Sequence, residues 1–268
     1  MVNKSISEVT IDRLEKLERN EEGWFVLWSE RVELKGGRLF THPEFLDDPL
    51  FNHVTGINVK AKDIDVFIEN IFSEFRRRSI FQPAFYVSSL SRPNNIVKIL
   101  VSKGFRIYDL MYIMSLKSRV KSSSKKSNRE LVIESVNKET VKTWAQVYAM
   151  AFDIEEDALP TIIECSQNAF ASKNTNLYIG YVKKAPVAVV ALYSQDRISG
   201  IYCLGTLESF RGKGIANTMI SRLIDDSFAL GSKDVCLQTL HKDGVKDYYQ
   251  KRGFSIDLTR EIYIFGTD

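Results

Sequence analysis

A glycine-containing turn between an apolar run and an amphipathic run constrains the fold of this chain more than any other segment. The turn reads Arg211-Gly212-Lys213-Gly214-Ile215-Ala216, after an apolar, β-prone run from Ile198 to Leu207. The apolar residues that follow the turn recur at helical spacing: Ile215, Met219, Ile220, Leu223 and Ile224. The turn therefore lies before a helix N-terminus, where unpaired backbone N–H groups and the helix dipole attract anions. Because Gly212 and Gly214 lack a Cβ, a diphosphate oxygen can approach the main chain closely, and Arg211 and Lys213 add positive charge.

Three kinds of phosphate-binding loop compete for this pattern. The nucleoside-triphosphate loop requires four residues between its glycines, followed by Lys and then Ser or Thr, and that pattern is absent. The dinucleotide fingerprint requires Gly or Ala in place of Asn217 and an acidic residue that ends a strand, whereas Asp234 precedes its strand. The third kind binds the diphosphate of coenzyme A and has the form Arg/Gln-x-x-Gly-x-Gly/Ala, which Arg211, Gly214 and Ala216 match.

On these residues the chain resembles the GNAT superfamily of coenzyme A-dependent N-acetyltransferases. A second motif downstream, YYQKRGF from Tyr248 to Phe254, is similar to that family's Tyr-x-x-x-Gly-Phe signature. The resemblance covers about residues 130 to 268 and implies an acetyl-CoA-dependent acyltransferase.

The order of predicted elements in this half is β-α-α-β-β-β-α-β-α-β. It includes a helix with one apolar stripe from Val141 to Phe152, a hairpin turn near Pro186 and a short helix from Lys242 to Arg252. We therefore predict an α+β (mixed α/β) protein with the GNAT fold, in which helices flank a central, mostly antiparallel mixed sheet.

A weak internal repeat indicates two such units in tandem. FYVSSL, from Phe85 to Leu90, is followed by a helical stretch and Gly104-Phe105, as VCLQTL, from Val235 to Leu240, is followed by Gly253-Phe254. The first copy has no glycine pair near Asn58 to Asp65 and has Leu100 where Tyr249 stands in the second, so we expect it to bind no acyl-CoA. An unrelated α+β domain remains the alternative. We predict a degenerate GNAT-like domain at 1–118, a basic Ser-rich linker at 119–130 and a catalytic domain at 131–268.

The resemblance also implies site residues. The backbone of Leu204, Thr206 and Leu207 is expected to pair with the pantetheine arm, while the side chains of these residues belong to the core. The amides of the turn are expected to bind the diphosphate, at Arg211, Gly212, Lys213, Gly214, Ile215 and Ala216. Tyr249 lies where the family's catalytic tyrosine lies and would protonate the departing thiolate, since a phenol with a pKa near 10 can supply a proton. Packing alone is the other interpretation of this tyrosine.

The general base is not apparent. The strand from Ile198 to Thr206 has no carboxylate, which leaves Asp196, Glu208 or His241 acting through water, and Lys242 stands where the family often has Asn. A cluster of four acidic residues between the first two helices would attract a cationic amine, or would serve only as a helix start: Asp153, Glu155, Glu156 and Asp157.

Composition narrows the partners and the compartment. Basic residues number 37 and acidic residues 34, for a formal net charge of +3, which is too small to argue nucleic-acid binding. The polar start MVNKSISEV and the absence of a long apolar run lead us to expect no signal peptide and no membrane partner. Cys165, Cys203 and Cys236 are read as buried thiols of a cytoplasmic protein, and neither they nor the histidines show metal-ligand spacing.

The preferred function is therefore an N-acetyltransferase that uses acetyl-CoA as co-substrate and no metal. Its acceptor would be a primary amine: a small molecule, a peptide N-terminus or a lysine. A homodimer is left open. The competing hypothesis is a non-catalytic acyl-CoA-binding or regulatory module, and nucleic-acid binding through the basic linker is a third idea.

Overall fold

A computed structural model describes residues 8–118 and 127–266 of the chain. Residues 119–126 of the predicted linker lie outside this range. The described residues divide into two compact units. The first is drawn from Met1–Met114, Gln238–Lys251 and Ser255–Asp268, and the second from Ser115–Leu237 and Arg252–Phe254. Within the described residues, no helix combines the length and the apolar character needed to cross a membrane.

The N-terminal part of the first unit contains three helices and five strands. In chain order they are α1 (Glu8–Phe25), β1 (Glu30–Leu34), β2 (Gly37–Thr41), β3 (His53–Thr55), α2 (Ile64–Arg77), β4 (Ala84–Val87), α3 (Ile96–Ser102) and β5 (Phe105–Leu116). The periodicity of α2 shows why it forms, because five buried residues recur at the spacing of one helix face: Ile64, Phe67, Ile68, Ile71 and Phe75.

The second unit contains three helices and five strands, and the last strand continues into the first unit. They are β6 (Val132–Ser135), α4 (Val141–Ala151), α5 (Leu159–Ala171), β7 (Thr175–Val182), β8 (Ala185–Gln195), β9 (Ile198–Thr206), α6 (Ile215–Ala229) and β10 (Asp234–Leu240). The predicted stripe on α4 is confirmed at its centre, where Trp144 is fully buried and its Nε1–H donates to the carbonyl of Val190 at 3.3 Å.

The last two elements are α7 (Lys246–Gln250) and β11 (Ser255–Phe265). Helix α7 is shorter than the predicted range of Lys242 to Arg252. The chain first makes a turn in which the Asp243 carboxylate accepts from the Leu240 N–H at 3.2 Å and the Gly244 N–H donates to the His241 carbonyl at 3.1 Å.

Each unit contains a mixed sheet with helices, which confirms the predicted fold class. In the second unit the strand order is β10-β9-β8-β7-β6, and only the β9–β10 pair is parallel. In the first unit the order is β1-β2-β3-β4-β11-β5, with β3 and β4 parallel. The hairpin between β7 and β8 turns at Lys183 and Lys184, which have φ of 50° and 65°. Pro186, predicted to lie in that turn, instead lies within β8.

The order of elements repeats along the chain, which supports the internal repeat seen in the sequence. The first copy runs β3, a 3-10 turn (Ala61–Asp63), α2, β4, α3 and β5. The second runs β9, a 3-10 turn (Glu208–Phe210), α6, β10, α7 and β11. In both copies the two strands that flank the long helix pair in parallel.

The last strand of the second copy is built into the first unit. Strand β11 pairs antiparallel with β4, from Glu261 opposite Val87 to Ile264 opposite Ala84. A boundary placed by sequence at residues 119–130 assigns β11 to the C-terminal domain, whereas its hydrogen bonds to β4 lie in the unit built mainly from residues before 115. The predicted division into 1–118 and 131–268 stays a prediction, and the compact units group α7, β11 and the end of β10 with the first 114 residues.

Candidate functional site

The parallel pairing of the strand that leads into the turn stops early, although both strands of the pair continue. Strand β9 pairs with β10 at Ile198, Ser199 and Gly200 and then continues to Thr206. A bulge interrupts its pairing with β8, and Cys203 there has a φ of 52°. Beyond the bulge, the backbone edge of β9 on the β10 side extends past the parallel ladder. A strand edge of this kind can accept hydrogen bonds from an extended ligand.

The three strand residues predicted to contact pantetheine differ in hydrogen bonding and in burial. The Leu207 N–H donates to the Val187 carbonyl at 2.9 Å and is therefore committed to the sheet. The Thr206 carbonyl accepts from Arg211 Nε, and Thr206 Oγ1 is buried with no hydrogen-bond partner among the described residues. Leu204 is half-buried.

Close packing fixes the end of β9 against α4. A Cβ on Gly205 would lie 2.9 Å from the Ala151 Cβ and 2.8 Å from the ring of Phe152, so only glycine fits between the strand and the end of this helix. The C-terminus of α4 therefore determines where the turn begins.

The turn itself has the conformation that its glycines predict. Gly212 and Gly214 have φ of 74° and 81°, in the left-handed region that glycine adopts without strain. A Cβ placed on Gly212 would meet nothing within 4 Å, so its main chain borders open space. Gly214 is the N-cap of the 15-residue helix α6, and no side chain of the described residues caps that helix end. The N-terminus of α6 can therefore attract an anion.

The two basic side chains of the turn fold back on the protein. Arg211 donates from Nε to the Thr206 carbonyl at 3.1 Å and from Nη2 to the Ala151 carbonyl at 3.0 Å. Lys213 Nζ donates to the Ser209 carbonyl at 2.8 Å and lies 4.9 Å from the ring centroid of Phe210. These hydrogen bonds hold the turn in shape. Because both residues are exposed, they also keep positive charge beside it.

Asn128 also supports the turn and was missed by the sequence analysis, which assigned it to the linker. Its backbone N–H donates to Thr218 Oγ1 at 2.9 Å, and its side-chain Nδ2 donates to the Lys213 carbonyl at 3.1 Å. Thr218 Oγ1 in turn donates to the Gly214 carbonyl at 3.1 Å. A run of serines and basic residues gives no signal that one asparagine in it is fixed.

The end of the second motif is anchored to α6. Arg252 donates from Nε to Asn217 Oδ1 at 2.9 Å, Gly253 has a φ of 91°, and Phe254 is buried. Asn217, the residue that did not fit the dinucleotide fingerprint, is therefore a buried acceptor that fixes this segment.

Tyr249 lies on α7, in the first unit. Its N–H donates to the Val245 carbonyl at 3.3 Å, and its ring packs against that of Tyr248, with centroids 5.3 Å apart and planes at 84°. Both tyrosines are half-buried.

The three candidate bases are placed differently. Asp196 lies in the turn before β9 and has a φ of 52°. The glycine turn follows the other end of this nine-residue strand, so about 30 Å of strand separates Asp196 from it. It is too far from the turn to serve there. Glu208 is exposed in the 3-10 turn. His241 is exposed, and its Nδ1 lies 2.8 Å from the Tyr112 hydroxyl.

Lys242 and the acidic cluster also have definite environments. Lys242 Nζ donates to the Tyr108 hydroxyl at 2.9 Å, and this hydrogen bond raises the pKa of the lysine. Glu156 and Asp157 lie in a 3-10 turn directly before α5, and they are exposed together with Asp153 and Glu155. This placement is compatible with both interpretations of the cluster, a helix start and an attraction for cations.

The three cysteines are free thiols. Cys165 and Cys236 are buried and Cys203 is half-buried. Burial raises the pKa of the Cys165 thiol to about 11, so this thiol stays protonated at neutral pH. No cluster of three or more His, Cys, Asp or Glu side chains that could hold a metal ion occurs among the described residues.

Comparison with known proteins agrees with this geometry. Residues 139–254 match the model of the Acetyltransferase (GNAT) family. No curated protein is significantly similar to the chain in sequence.

Solved structures with the same fold extend over nearly the whole chain. A GCN5-related N-acetyltransferase from Kribbella flavida has a TM-score of 0.67 at 15% identity, and the match covers 100% of this chain and 98% of that one. A functionally unknown conserved protein from Staphylococcus epidermidis has a TM-score of 0.66 at 16% identity, covering 90% and 95%. A tandem GNAT protein from the clavulanic acid biosynthesis pathway has a TM-score of 0.65 at 8% identity, covering 87% and 80%. The chain thus has the fold of these GNAT structures, and its residues 139–254 match the GNAT family model.

Proposed function

We propose that the protein transfers the acetyl group of acetyl-CoA to a primary amine, by direct attack of the amine on the thioester in a ternary complex. The observation that carries this proposal is the turn at Gly212 and Gly214, where the main chain borders open space at an uncapped helix N-terminus inside the domain that matches the family.

The turn suits a diphosphate for three reasons. The Arg211 N–H donates to the Glu208 carbonyl at 3.0 Å, so the amides proposed to bind the diphosphate run from Gly212 to Ala216 and include the first amides of α6. The dipole of a 15-residue helix favours negative charge at this end. Arg211 and Lys213 hold positive charge beside the turn while their terminal nitrogens donate to carbonyls of the protein. The main chain would therefore bind the oxygens, and the side chains would supply the field.

The pantetheine arm would lie along the end of β9. The Leu207 N–H is already bonded to Val187, which leaves the edge of the strand before it for the arm. Thr206 Oγ1, buried without a partner among the described residues, is a further group that a bound amide could satisfy.

The chemistry requires three proton movements. The acceptor must attack as a neutral amine, so its ammonium form first loses a proton. Attack on the thioester carbonyl forms a tetrahedral intermediate whose nitrogen carries an extra proton, and its collapse re-forms the carbonyl and breaks the carbon–sulfur bond. We propose that Tyr249 donates its phenolic proton to the departing thiolate and regains a proton as the nitrogen of the new amide loses its extra one. His241 or Glu208 would take the amine proton through water, since Asp196 lies at the wrong end of β9.

The acceptor is expected to carry positive charge before it reacts. Four carboxylates lie close together in the chain before α5, and all are exposed: Asp153, Glu155, Glu156 and Asp157. A cluster of negative charges raises the local concentration of positively charged ligands. Small-molecule amines, peptide N-termini and lysine side chains all meet this requirement.

The N-terminal repeat is not proposed to bind acyl-CoA, because the corresponding backbone is already bonded. After β3, the Ile57 carbonyl accepts from the Arg92 N–H at 2.8 Å, and the Val59 N–H donates to the Arg92 carbonyl at 3.2 Å. These bonds bridge the chain after β3 to the chain after β4. An acyl-carrier arm would have to break them in order to bind there.

Release of free thiol from acetyl-CoA tests the proposal. The full chain should release thiol in the presence of at least one member of a panel of polyamines, peptides and amino sugars, and mass spectrometry should find the amine heavier by one acetyl group. If acetyl-CoA binds but no amine in the panel is acetylated, the protein is a binding module and the proposal of catalysis is wrong.

A further inference from the structure

The first unit contains a polar cavity that the proposed reaction does not use. Its volume is about 220 Å³, and it lies between α1 and the segments that follow β3 and β4. Helix α1 contributes Glu15, Glu18 and Arg19, which lie at a spacing of three and four residues and so share one face. Arg38 of β2 and Leu90 also line it.

Glu18 is a buried carboxylate with spare capacity to accept hydrogen bonds. Its side chain is only 8% exposed, and the contact of its Oε1 with Arg260 Nη2 is long, at 3.4 Å. Arg260 is held more closely by Glu21, at 2.5 Å from Nη1. A buried charge in this state is stabilised by any cation that reaches it.

Arg38 supplies the opposite charge on the same cavity. Its Nη2 donates to the buried Glu22 carboxylate at 2.7 Å, while Nη1 has no partner among the described residues and the side chain is 29% exposed. The guanidinium lies across Gly56, where φ is 61° and a Cβ would come within 1.9 Å of Nη2. Glycine at this position and the bond to Glu22 together fix the guanidinium against the cavity wall.

We propose that this cavity binds a small zwitterion of the amino-acid type, with its ammonium at Glu18 and its carboxylate at Arg38. The α1 face and Arg38 bring two carboxylates and two guanidinium groups to the wall. Among the described residues, Glu18 makes only the long contact with Arg260 and Arg38 only the bond to Glu22, so a ligand with both charges adds an ion pair to each. A volume of about 220 Å³ is below the roughly 300–1,000 Å³ of pockets that hold drug-sized ligands, which favours a ligand as small as a free amino acid. The site is separate from the proposed acetyl-transfer residues.

Calorimetry on the full chain with a panel of free amino acids tests this inference. At least one should bind saturably. Its carboxamide, which lacks the anionic group, and its N-acetyl form, which lacks the ammonium, should each bind at least tenfold more weakly. Absence of binding by every amino acid at millimolar concentration, or equal binding of the carboxamide, would overturn the proposal.

Variants locate the binding to the cavity. Leu90→Trp fills the cavity without a change in charge and should abolish binding, and Glu18→Gln should weaken it at least tenfold. Glu69→Gln alters an exposed glutamate of α2 outside the cavity and should bind as the wild type does. If Leu90→Trp does not fold, Glu15→Gln, which alters a half-exposed residue at the cavity, replaces it as the test and should also weaken binding. Wild-type affinity in the folded cavity variants would show that the amino acid binds elsewhere, and the proposal would be wrong.

Discussion

Tyr249 is the residue proposed to protonate the departing thiolate. Replacing it with Phe keeps the ring that packs against Tyr248 at 5.3 Å and removes only the hydroxyl. We expect Tyr249→Phe to lower kcat by about 10²-fold, the usual contribution of a positioned acid, with the affinity for acetyl-CoA unchanged. Tyr248→Phe is the matched control because it removes the same group from the neighbouring position. Steady-state kinetics should separate the two, and an equal loss in both variants would contradict the assignment.

His53 makes stability depend on pH in a direction that the structure determines. It is buried between Phe40 and Tyr86, with ring centroids at 5.1 and 4.1 Å, and burial lowers its pKa from 6.5 to about 3, with Arg260 adding to the effect. Below pH 6.5 the unfolded chain binds a proton at this residue that the folded chain does not. The folded state is therefore fully favoured above the unfolded-state pKa and loses stability as the pH falls towards the folded-state value.

The expected size of this effect is about 2 kcal/mol between pH 7 and pH 5, at ~1.36 kcal/mol per pKa unit. Urea denaturation at the two pH values measures the free energy of unfolding. Between pH 7 and pH 5 the wild type should lose about 2 kcal/mol more of it than His53→Phe, which places another ring among the same aromatic neighbours. Other buried acids, such as Glu21, titrate in both proteins and cancel in the comparison. Identical pH dependence of the two proteins would show that His53 is not held neutral.

Individual contacts at the site were only partly predictable. Glycines at positive φ and a helix that starts at Ile215 follow from local sequence, because both depend on neighbouring residues. The bonds of Arg211 to the Ala151 carbonyl and of Asn128 to the Lys213 carbonyl could not be read from the sequence, since their partners lie 60 and 85 residues away.

At the scale of the elements, an ion pair buried between α1 and β11 holds the first unit together. Arg260 is 1% exposed and contacts both Glu18 and Glu21. Removing the arginine leaves two buried carboxylates without this cation, so we expect Arg260→Met to lower the free energy of unfolding by about 3–5 kcal/mol. Lys16→Met breaks the exposed pair with Asp12 on the same helix and should cost less than about 0.5 kcal/mol. Chemical denaturation measures both, and equal losses would contradict the argument.

Helices and strands whose apolar residues recur with a clear period were predicted well, and those without such a period were not. The structure reproduces β9 at Ile198–Thr206 and places α5 and α6 within a few residues of the prediction. Helix α7 was predicted too long because residues 241–244 have polar and turn-forming side chains that fit either a helix start or the observed turn. The pairing of β11 with β4 was not predictable, because period-two alternation shows which face of a strand is buried but not which strand lies beside it.

For the whole molecule, the placement of β11 predicts that the repeats do not fold separately. Ile262 and Ile264 of β11 are buried in a cluster with Ala84, Tyr86 and Met111 of the first unit. A fragment of residues 1–118 would expose that surface and the hydrogen-bonding edge of β4. We expect the fragment alone to show no cooperative thermal unfolding by circular dichroism, and co-expression with residues 131–268 to restore it. A sharp transition for the isolated fragment would contradict this prediction.

The claim on which the proposed function rests is that the main chain around Gly212 binds the diphosphate of acetyl-CoA. Gly231 offers a matched control, because it also has a positive φ, of 84° against 74° at Gly212, and a Cβ at either position meets nothing within 4 Å. Alanine at either glycine therefore brings similar backbone strain and no clash.

Titration of the full chain with acetyl-CoA in a calorimeter is the most direct test. Saturable heat is expected for the wild type and for Gly231→Ala. Gly212→Ala should bind at least tenfold more weakly, by about 1.4 kcal/mol, because its methyl group would stand where the oxygens approach. No heat from the wild type, or equal affinity of the two alanine variants, would contradict that claim.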